Sequence, residues 1–361
     1  MIDYLEVSSE KNRDNRFTKD DVLSVSGEYG IVNQIEFQGR SFAGASVSNY
    51  GVVENGDVVY TKSPLKSNPY GIIKTNKGIP GIVSTLYAVY KPKEITDSKF
   101  VQIYFELDSR MNSYMHPLVN KGAKNDMKVS AENALKGMVS FPKKDEQEMI
   151  SLYFSSLDNL IALHQRKCDE TKKLKKFMLQ KMFPKKNEKK PEIRFAGFTD
   201  DWEQRKLIDY LEVSSEKNRD NRFTKDDVLS VSGEYGIVNQ IEFQGRSFAG
   251  ASVSNYGVVE NGDVVYTKSP LKSNPYGIIK TNKGIPGIVS TLYAVYKPKE
   301  ITDSKFVQIY FELDSRMNSY MHPLVNKGAK NDMKVSAENA LKGMVSFPKK
   351  DEQEMISLYF S

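Results

Sequence analysis

Residues 145–183 read DEQEMISLYFSSLDNLIALHQRKCDETKKLKKFMLQKMF, and this stretch decides the architecture of the chain. Apolar and small side chains recur at spacings of mostly three and four residues, and no helix breaker interrupts them before Pro184. The spacing therefore predicts one uninterrupted α-helix of 39 residues. At 1.5 Å per residue this helix would be roughly 58 Å long, longer than a small domain is wide.

The predicted helix carries an apolar seam along one side. A lone helix cannot bury such a seam by itself, so the pattern predicts a second helix or a partner protein against it. Five lysines near its end suit the helix dipole and are most simply a solvated surface, although they could also meet phosphate or an acidic partner. These lysines are Lys172, Lys173, Lys175, Lys176 and Lys181. The seam, predicted to mediate self-association or docking, consists of Ile150, Phe154, Leu157, Ile161, His164, Thr171, Met178 and Met182.

The same sequence lies on both sides of this helix. Residues 2–155, which we call copy 1, recur without a substitution as residues 208–361, which we call copy 2. A unit of about 150 residues is a whole domain rather than a solenoid repeat. The sequence therefore predicts a first domain at 1–144, the long helix at 145–183, a linker at 184–207, a second domain at 208–350, and the start of a second helix at 351–361.

Each copy has the pattern of a mixed α/β domain. Short apolar runs over 20–60, punctuated by the Glu54-Asn55-Gly56-Asp57 turn, predict strands. Helical spacing then runs from a cap at Thr96 or Asp97 through Met111. The predicted fold class is thus α/β, with two identical mixed α/β domains joined by a long coiled-coil-type helix.

Composition narrows the class of protein. With 39% hydrophobic residues among 361, the chain can bury ordinary cores. It has no apolar run near 18 residues and no signal-peptide pattern at its start, so we expect no membrane contact and a cytoplasmic location. A single cysteine, Cys168, cannot form an internal disulfide, and with only three histidines it argues against a structural zinc site.

Positive charge is concentrated in two parts of the chain. The connector, 156–207, holds 14 basic and 8 acidic residues and so the entire net charge of +6, while each copy has 19 of each sign. Within copy 1, however, residues 62–144 hold 14 basic and 6 acidic side chains, against 5 and 10 over 2–61. A basic half of a neutral domain is typical of a nucleic-acid-binding face, and ordinary solvated lysines would look the same.

Two polar loops and one short segment of each copy could read DNA. Base reading needs side chains with paired donors and acceptors, and phosphate binding needs lysine, arginine and serine on accessible loops. The loops at 61–70 and 120–128 have this composition, and residues near 40–50 form a weaker set. In copy 1 the candidates are Arg40, Ser41, Tyr50, Lys62, Ser63, Lys66, Ser67, Asn68, Lys121, Lys124, Asn125 and Lys128. In copy 2 they are Arg246, Ser247, Tyr256, Lys268, Ser269, Lys272, Ser273, Asn274, Lys327, Lys330, Asn331 and Lys334.

Catalytic signatures are missing from the sequence. It has no phosphate-binding G-x-x-x-x-G-K-[ST] loop, no HExxH, no G-x-S-x-G and no paired-cysteine metal motif. Ser67-Asn68-Pro69-Tyr70 lacks the second proline of the adenine-methyltransferase motif Asn-Pro-Pro-Tyr. We therefore predict no catalytic residue and no metal site.

The connector closely resembles the spacer of the specificity subunit of type I restriction–modification systems. The resemblance holds in order and spacing over 141–150 (FPKKDEQEMI), 157–161 (LDNLI), 164–167 (HQRK), 174–176 (LKK), 180–184 (QKMFP), 191–195 (PEIRF) and 202–207 (WEQRKL). The two copies occupy the positions of that family's target-recognition domains, with general features such as Gly56-Asp57-Val58-Val59. A full family member would have a second long helix, which is truncated here after 351–361.

This resemblance implies a protein that binds double-stranded DNA and chooses the site while other subunits do the chemistry. Two identical readers imply an inverted-repeat site with a fixed gap. The implied partners are modification subunits and, through them, restriction subunits. No cofactor is expected on this chain, because S-adenosylmethionine, ATP and magnesium would belong to those subunits. The alternative is a non-catalytic scaffold that bridges protein partners through its two identical domains.

Overall fold

A computed structural model describes residues 1–62, 65, 68–119, 129–185, 187–268, 271, 274–325 and 335–361. The chain divides into two compact units, Met1–Gln165 and Arg166–Ser361. One long helix begins in the first unit and ends in the second.

Copy 1 contains eight described strands: β1 Leu5–Val7, β2 Leu23–Ser26, β3 Gly30–Asn33, β4 Gly51–Val53, β5 Val58–Thr61, β6 Ile73–Thr75, β7 Gly81–Val83 and β8 Tyr87–Pro92. They pair antiparallel in a four-stranded sheet of order β1-β8-β5-β6 and in the two-stranded pairs β2-β3 and β4-β7. The turn between β4 and β5 is held by Asp57, whose carboxylate accepts the Glu54 amide at 2.8 Å, while Gly56 has a φ of +88°.

Copy 1 contains four described α-helices and the start of a fifth, longer one. They are α1 Gln34–Gln38, α2 Ser98–Tyr104, α3 Asp108–Met115, α4 Ala131–Ala134 and the long α5 Lys144–Lys181. Tyr60 and Tyr90 lie fully buried between the sheet and α2 to α4. Burial and hydroxyl hydrogen bonds to main-chain carbonyls fix both rings in this core.

The helical spacing predicted from Asp97 through Met111 resolves into two helices. Asp97 caps α2 as expected, accepting the Lys99 amide at 3.2 Å. The helix then ends at Tyr104, and the backbone of Leu107 is extended, with a ψ of 117°, before α3 begins. The Arg110 side chain donates to the Tyr104 carbonyl at 2.9 Å across this break, and Met111 and Met115 lie in the same core as α2.

The long helix confirms the predicted fold class. It spans 38 residues, Lys144–Lys181, beginning one residue before and ending two residues before the predicted bounds. Asp145 and Glu146 lie in its first turn, where carboxylates suit the helix dipole. Gln147 anchors this start to copy 1, donating to the Ile95 and Pro142 carbonyls at 3.1 and 2.8 Å and accepting the Asp97 amide at 3.0 Å.

Copy 2 repeats these elements and adds one strand pair. Its strands are β10 Leu211–Val213, β11 Leu229–Ser232, β12 Gly236–Asn239, β13 Gly257–Val259, β14 Val264–Thr267, β15 Ile279–Thr281, β16 Gly287–Val289, β17 Tyr293–Pro298 and β18 Met344–Phe347; β9 Glu203–Lys206 precedes them and pairs with β18. Its helices are α6 Gln240–Gln244, α7 Ser304–Tyr310, α8 Asp314–Met321, α9 Ala337–Ala340 and α10 Lys350–Tyr359. α10 is the short second helix predicted at 351–361.

Candidate nucleic-acid interface

The loop after β5 is closed at its base by a close approach of two residues. Gly71 has a φ of +79°, and a Cβ there would lie 2.0 Å from the Thr61 carbonyl oxygen, so only glycine fits. The Thr61 hydroxyl accepts the Ile72 amide at 2.8 Å across the same base. The strands thus fix both ends of the loop from which Lys62 and Asn68 project.

Lys62 lies at the start of this loop with charges of both signs acting on it. Partial burial, reinforced by the charge of Lys11, lowers the pKa of the Lys62 ammonium, while the Glu132 carboxylate acts in the opposite direction. Lys268 repeats this arrangement in copy 2 with Lys217 and Glu338. A half-buried loop lysine with a second lysine charge acting on it is a candidate for phosphate contact. Sequence analysis missed Lys11, because it is far from the loop in sequence and only its bridge to Gly51 brings it to the sheet.

Asn68 makes hydrogen bonds that hold the loop in place. Its amide nitrogen donates to an Asp108 carboxylate oxygen at 2.7 Å, and its main chain exchanges hydrogen bonds with Leu65 at 3.0 and 3.1 Å. Asn274 makes the same bond to Asp314 in copy 2. The structure therefore gives Asn68 a loop-positioning contact at the start of α3.

All of the remaining loop candidates lie outside the described residues. They are Ser63, Lys66, Ser67, Lys121, Lys124, Asn125, Lys128, Ser269, Lys272, Ser273, Lys327, Lys330, Asn331 and Lys334. Their roles in DNA binding stay predictions.

The third candidate set consists of the exposed Arg40 and two residues, Ser41 and Tyr50, whose hydroxyl groups bind the main chain. The Arg40 guanidinium lies 4.5 Å from the centre of the Phe42 ring, which is 55% exposed. Ser41 donates to the Lys19 carbonyl at 3.1 Å, and the Tyr50 hydroxyl accepts the Gly44 amide at 3.2 Å. Ser41 and Tyr50 thus shape the segment from which Arg40 projects.

Copy 2 repeats this set with small differences in distance. Arg246 lies 4.6 Å from the Phe248 ring centre, Ser247 donates to the Lys225 carbonyl at 3.2 Å, and Tyr256 accepts the Gly250 amide at 3.4 Å.

Two exposed aromatic rings were not among the residues predicted from the sequence. Tyr29 and Phe37 are 60% and 45% exposed, and their ring centres lie 5.3 Å apart. Exposed aromatic faces can stack on bases or sugars. The sequence carries no local signal for this pair, because Tyr29 lies in the turn between β2 and β3 and Phe37 lies in α1.

The predicted seam of α5 divides into an exposed part and a buried part. Leu157 and Ile161 are 36% and 66% exposed, and His164 and Thr171 are exposed as well. Ile150 is half-buried and Phe154 is 43% exposed. Met178 is half-buried and Met182 is buried, and both pack within the second unit.

Among the described residues, no group of three or more histidine, cysteine, aspartate or glutamate side chains could hold a metal ion. Over the same residues, no helix is long and apolar enough to cross a membrane. Asp57 accepts Lys91 at 2.8 Å as well as the turn amide, so this buried carboxylate is used structurally.

The chain is similar in fold to solved subunits of one kind. It matches the S subunit of a type I restriction–modification system from M. genitalium with a TM-score of 0.51 and 12% identity, over 99% of this chain and 87% of that one. It also matches the HsdS subunit from Thermoanaerobacter tengcongensis with a TM-score of 0.44 and 14% identity, over 98% and 85% of the two chains. No family model and no curated protein matches the sequence.

Proposed function

We propose that this chain, which has the fold of type I restriction–modification S subunits, binds DNA and selects the site at which other subunits act. The observation that carries the proposal is the placement of two identical α/β domains, in sequence, on either side of one uninterrupted 38-residue helix. A fold of this kind presents two identical sets of loops from one polypeptide.

The proposed target is an inverted repeat with a fixed gap. Identical domains read identical half-sites, and a continuous helix of about 57 Å cannot change its length to suit different gaps. Phosphate contacts would come from Lys62 with Lys11 and from Lys268 with Lys217. Arg40 and Arg246, each over an exposed aromatic ring, are the described candidates for groove contacts.

The exposed part of the seam is the proposed docking face for modification subunits. From Leu152 to Leu174 the helix exposes large apolar side chains, among them Ile161 at 66% and Leu163 at 60%. Such a surface is typical of a protein–protein interface rather than of an isolated helix. Self-association through the same face is the second way of burying it.

The proposed division of labour leaves the chemistry to those partners. S-adenosylmethionine, ATP and magnesium would bind to the modification and restriction subunits, and this chain would work in the cytoplasm, where the DNA is. Specificity without catalysis agrees with the sequence, which carries none of the catalytic motifs considered above.

Selection of bound duplexes from a random pool tests the proposal. The full chain is mixed with its modification subunit, and bound DNA is amplified and sequenced over several rounds. We expect one split inverted repeat with a single gap length to be enriched. The matched control is the double variant Lys62→Ala with Lys268→Ala, which should enrich the same sequence with lower yield, because it removes phosphate contacts.

Other outcomes of the selection separate the two functions. Enrichment of unrelated sequences, or no retention of DNA at moderate salt, would contradict the proposal. It would favour the scaffold, whose partners are proteins.

A further inference from the structure

A short turn between β1 and β2 places an asparagine in the left-handed backbone region in both copies. Asn15 and its counterpart Asn221 each have a φ of +54°. The Asn15 amide donates to the Asn12 carbonyl at 3.1 Å, which closes a β-turn within the segment that we call the 12–17 turn. Glycine adopts a positive φ without strain, so the backbone of this turn does not itself require a carboxamide at the position.

A buried side chain fixes the 12–17 turn from inside the domain. Asn12 is 0% exposed, and its carboxamide donates to the Phe17 carbonyl at 2.8 Å and accepts the Phe17 amide at 3.0 Å. Asn218 makes the same two bonds to Phe223 in copy 2, at 2.8 and 3.0 Å. These bonds join the two ends of the turn to each other. A binding element that is held in this way loses little conformational entropy when it meets a ligand.

The two arginines of the turn differ in their contacts. The Arg16 guanidinium binds a Glu54 carboxylate oxygen at 2.5 Å and lies 4.5 Å from the Phe17 ring centre. The Asp14 carboxylate accepts the Arg16 amide at 3.2 Å. Arg13 is exposed, and within the described part of the chain its guanidinium has no hydrogen bond or ion pair. Arg16 thus stabilises the turn, whereas the five N–H donors of Arg13 are available to a ligand.

The left-handed asparagine has its polar atoms available as well. Asn15 is exposed, and among the described residues nothing binds its side-chain oxygen or nitrogen. In copy 2, Arg219 and Asn221 are exposed and unbonded over the same described ranges. Each copy therefore presents one guanidinium and one carboxamide on a fixed turn.

The 12–17 turn is joined to both of the described candidate sites for DNA contact. The Asn12 amide donates to the Tyr50 carbonyl at 3.1 Å, which connects the turn with the segment that carries Arg40. Lys11, the residue before the turn, bridges Gly51, and its charge acts on Lys62. The turn therefore lies beside the lysines proposed above to contact phosphate.

We infer that this turn reads base edges in the major groove, with its unbonded arginine on a guanine and its left-handed asparagine on an adenine. The residues are Arg13 and Asn15 in copy 1, and Arg219 and Asn221 in copy 2. The inference rests on the proposed function and adds the residues that choose the bases. Arginine offers paired donors to guanine O6 and N7, and asparagine pairs a donor and an acceptor with adenine N6 and N7. Phosphate contacts such as that of Lys62 position a protein on the duplex but do not specify its sequence.

The duplication of the domain supplies an internal control for the test. The selection from a random duplex pool, with the modification subunit present, is repeated with Arg219→Lys and with Asn221→Gly as separate variants. Copy 1 stays unchanged in both, so the half-site that it reads is the reference within the same chain. Lysine keeps the charge but lacks the planar fork of donors, and glycine accepts the positive φ but lacks the carboxamide.

We expect each variant to relax one position of one half-site. Arg219→Lys should lower the preference for guanine at one base pair about tenfold or more, and Asn221→Gly should do the same for adenine at another base pair of that half. The other half-site should keep its full preference. Because Arg219→Lys retains the charge, the slope of log affinity against log salt should not change.

The two variants should leave the second unit folded, since both residues are exposed. Urea unfolding followed by the fluorescence of Trp202, which is buried in that unit, checks this. A change of preference without a change of stability would then locate the effect in the contact with DNA.

Two results would overturn this assignment and leave the proposed function standing. One is an inverted repeat that both variants still specify equally in its two halves. The other is a loss spread evenly over both halves, because a contact made by one turn acts on one half-site. Failure of the unchanged chain to enrich any split site is a distinct result, which would contradict site selection itself and the inference with it.

Discussion

The two copies agree in their loops and differ at the start of the helix that follows each of them. The hydrogen bonds of Ser41 and Tyr50 are repeated by Ser247 and Tyr256 in copy 2 to within a few tenths of an ångström. At the start of the adjoining helix, however, Glu146 is exposed while its counterpart Glu352 is 2% exposed. Ile150 is half-buried, whereas Ile356 is 1% exposed.

The difference shows which parts of the domain take their structure from their own sequence alone. The loops are held only by residues within one copy, so identical sequence gives identical structure. At the start of α10, burial is completed by residues 178–207 of the second unit. Burial there therefore depends on a neighbouring segment as well as on the local sequence.

The largest difference in stability between the two units should come from the buried ion pair between Arg194 and Glu352. Arg194→Ala leaves the Glu352 carboxylate buried without its bidentate partner, so we expect the second unit to lose about 3–5 kcal/mol of unfolding free energy. Trp202, the single tryptophan, contacts Glu352 and reports this unit alone by fluorescence during urea unfolding.

The copy-1 control for this pair is Glu146→Gln. Because Glu146 is exposed, the change should alter stability by less than about 0.5 kcal/mol. Equal losses in the two variants would mean that the copies do not differ as described.

A smaller difference in stability is expected between Ile356 and the equivalent residue of copy 1, Ile150. Ile356→Ala removes a fully buried side chain and should cost about 2–4 kcal/mol in the second unit, followed by Trp202 fluorescence. Ile150 is only half-buried, so Ile150→Ala should lower the unfolding free energy of the first unit by less than half as much, measured by calorimetry. A larger loss in the copy-1 variant would mean that the Ile150 side chain is covered in solution.

The sequence predicted the long helix and the mixed α/β class, because both rest on patterns that one segment carries by itself. Periodicity without a breaker gave the bounds of α5 to within two residues. The break between α2 and α3 could not be predicted in this way. The extended backbone of Leu107, with a ψ of 117°, interrupts the helical path without disturbing the apolar spacing.

The candidate site was predicted in part. Lys62 was found because it lies in a polar loop, whereas Lys11 joins it only through the sheet. Asn68 has the composition of a base reader, but its contact with Asp108 is tertiary and was invisible in the sequence. Likewise the seam predicted for Met178 and Met182 did not reveal that these side chains pack in their own unit.

Removing the loop lysine should weaken DNA binding equally in the two copies. Lys62→Ala and Lys268→Ala should each weaken DNA binding by about 1 kcal/mol or less, and each should reduce the slope of log affinity against log salt by about 1. The measurement is a fluorescence titration on the selected duplex at several salt concentrations. Unequal slopes would show that the two domains do not read equivalent half-sites.

The smallest effect concerns an exposed carboxyl of the connector, Glu192, and the two lysines that bind it. Hydrogen bonds from Lys181 and then Lys185 lower the pKa of the Glu192 carboxyl to about 2, against an ordinary value of 4.5. A carboxyl whose pKa is lowered by folding stabilises the folded state above its unfolded pKa, and this contribution is lost as the pH falls toward the folded value.

Glu192→Gln should therefore lower the melting temperature of the second unit slightly at pH 7, with a difference that shrinks below pH 4.5. High salt should reduce it as well, because the pair is exposed. The first unit should melt unchanged at every pH, because Glu192 and its two lysines lie in the second unit. A difference that grows on acidification would mean that Glu192 acts through its packing rather than its charge, and the linker would then hold the helix end by shape alone.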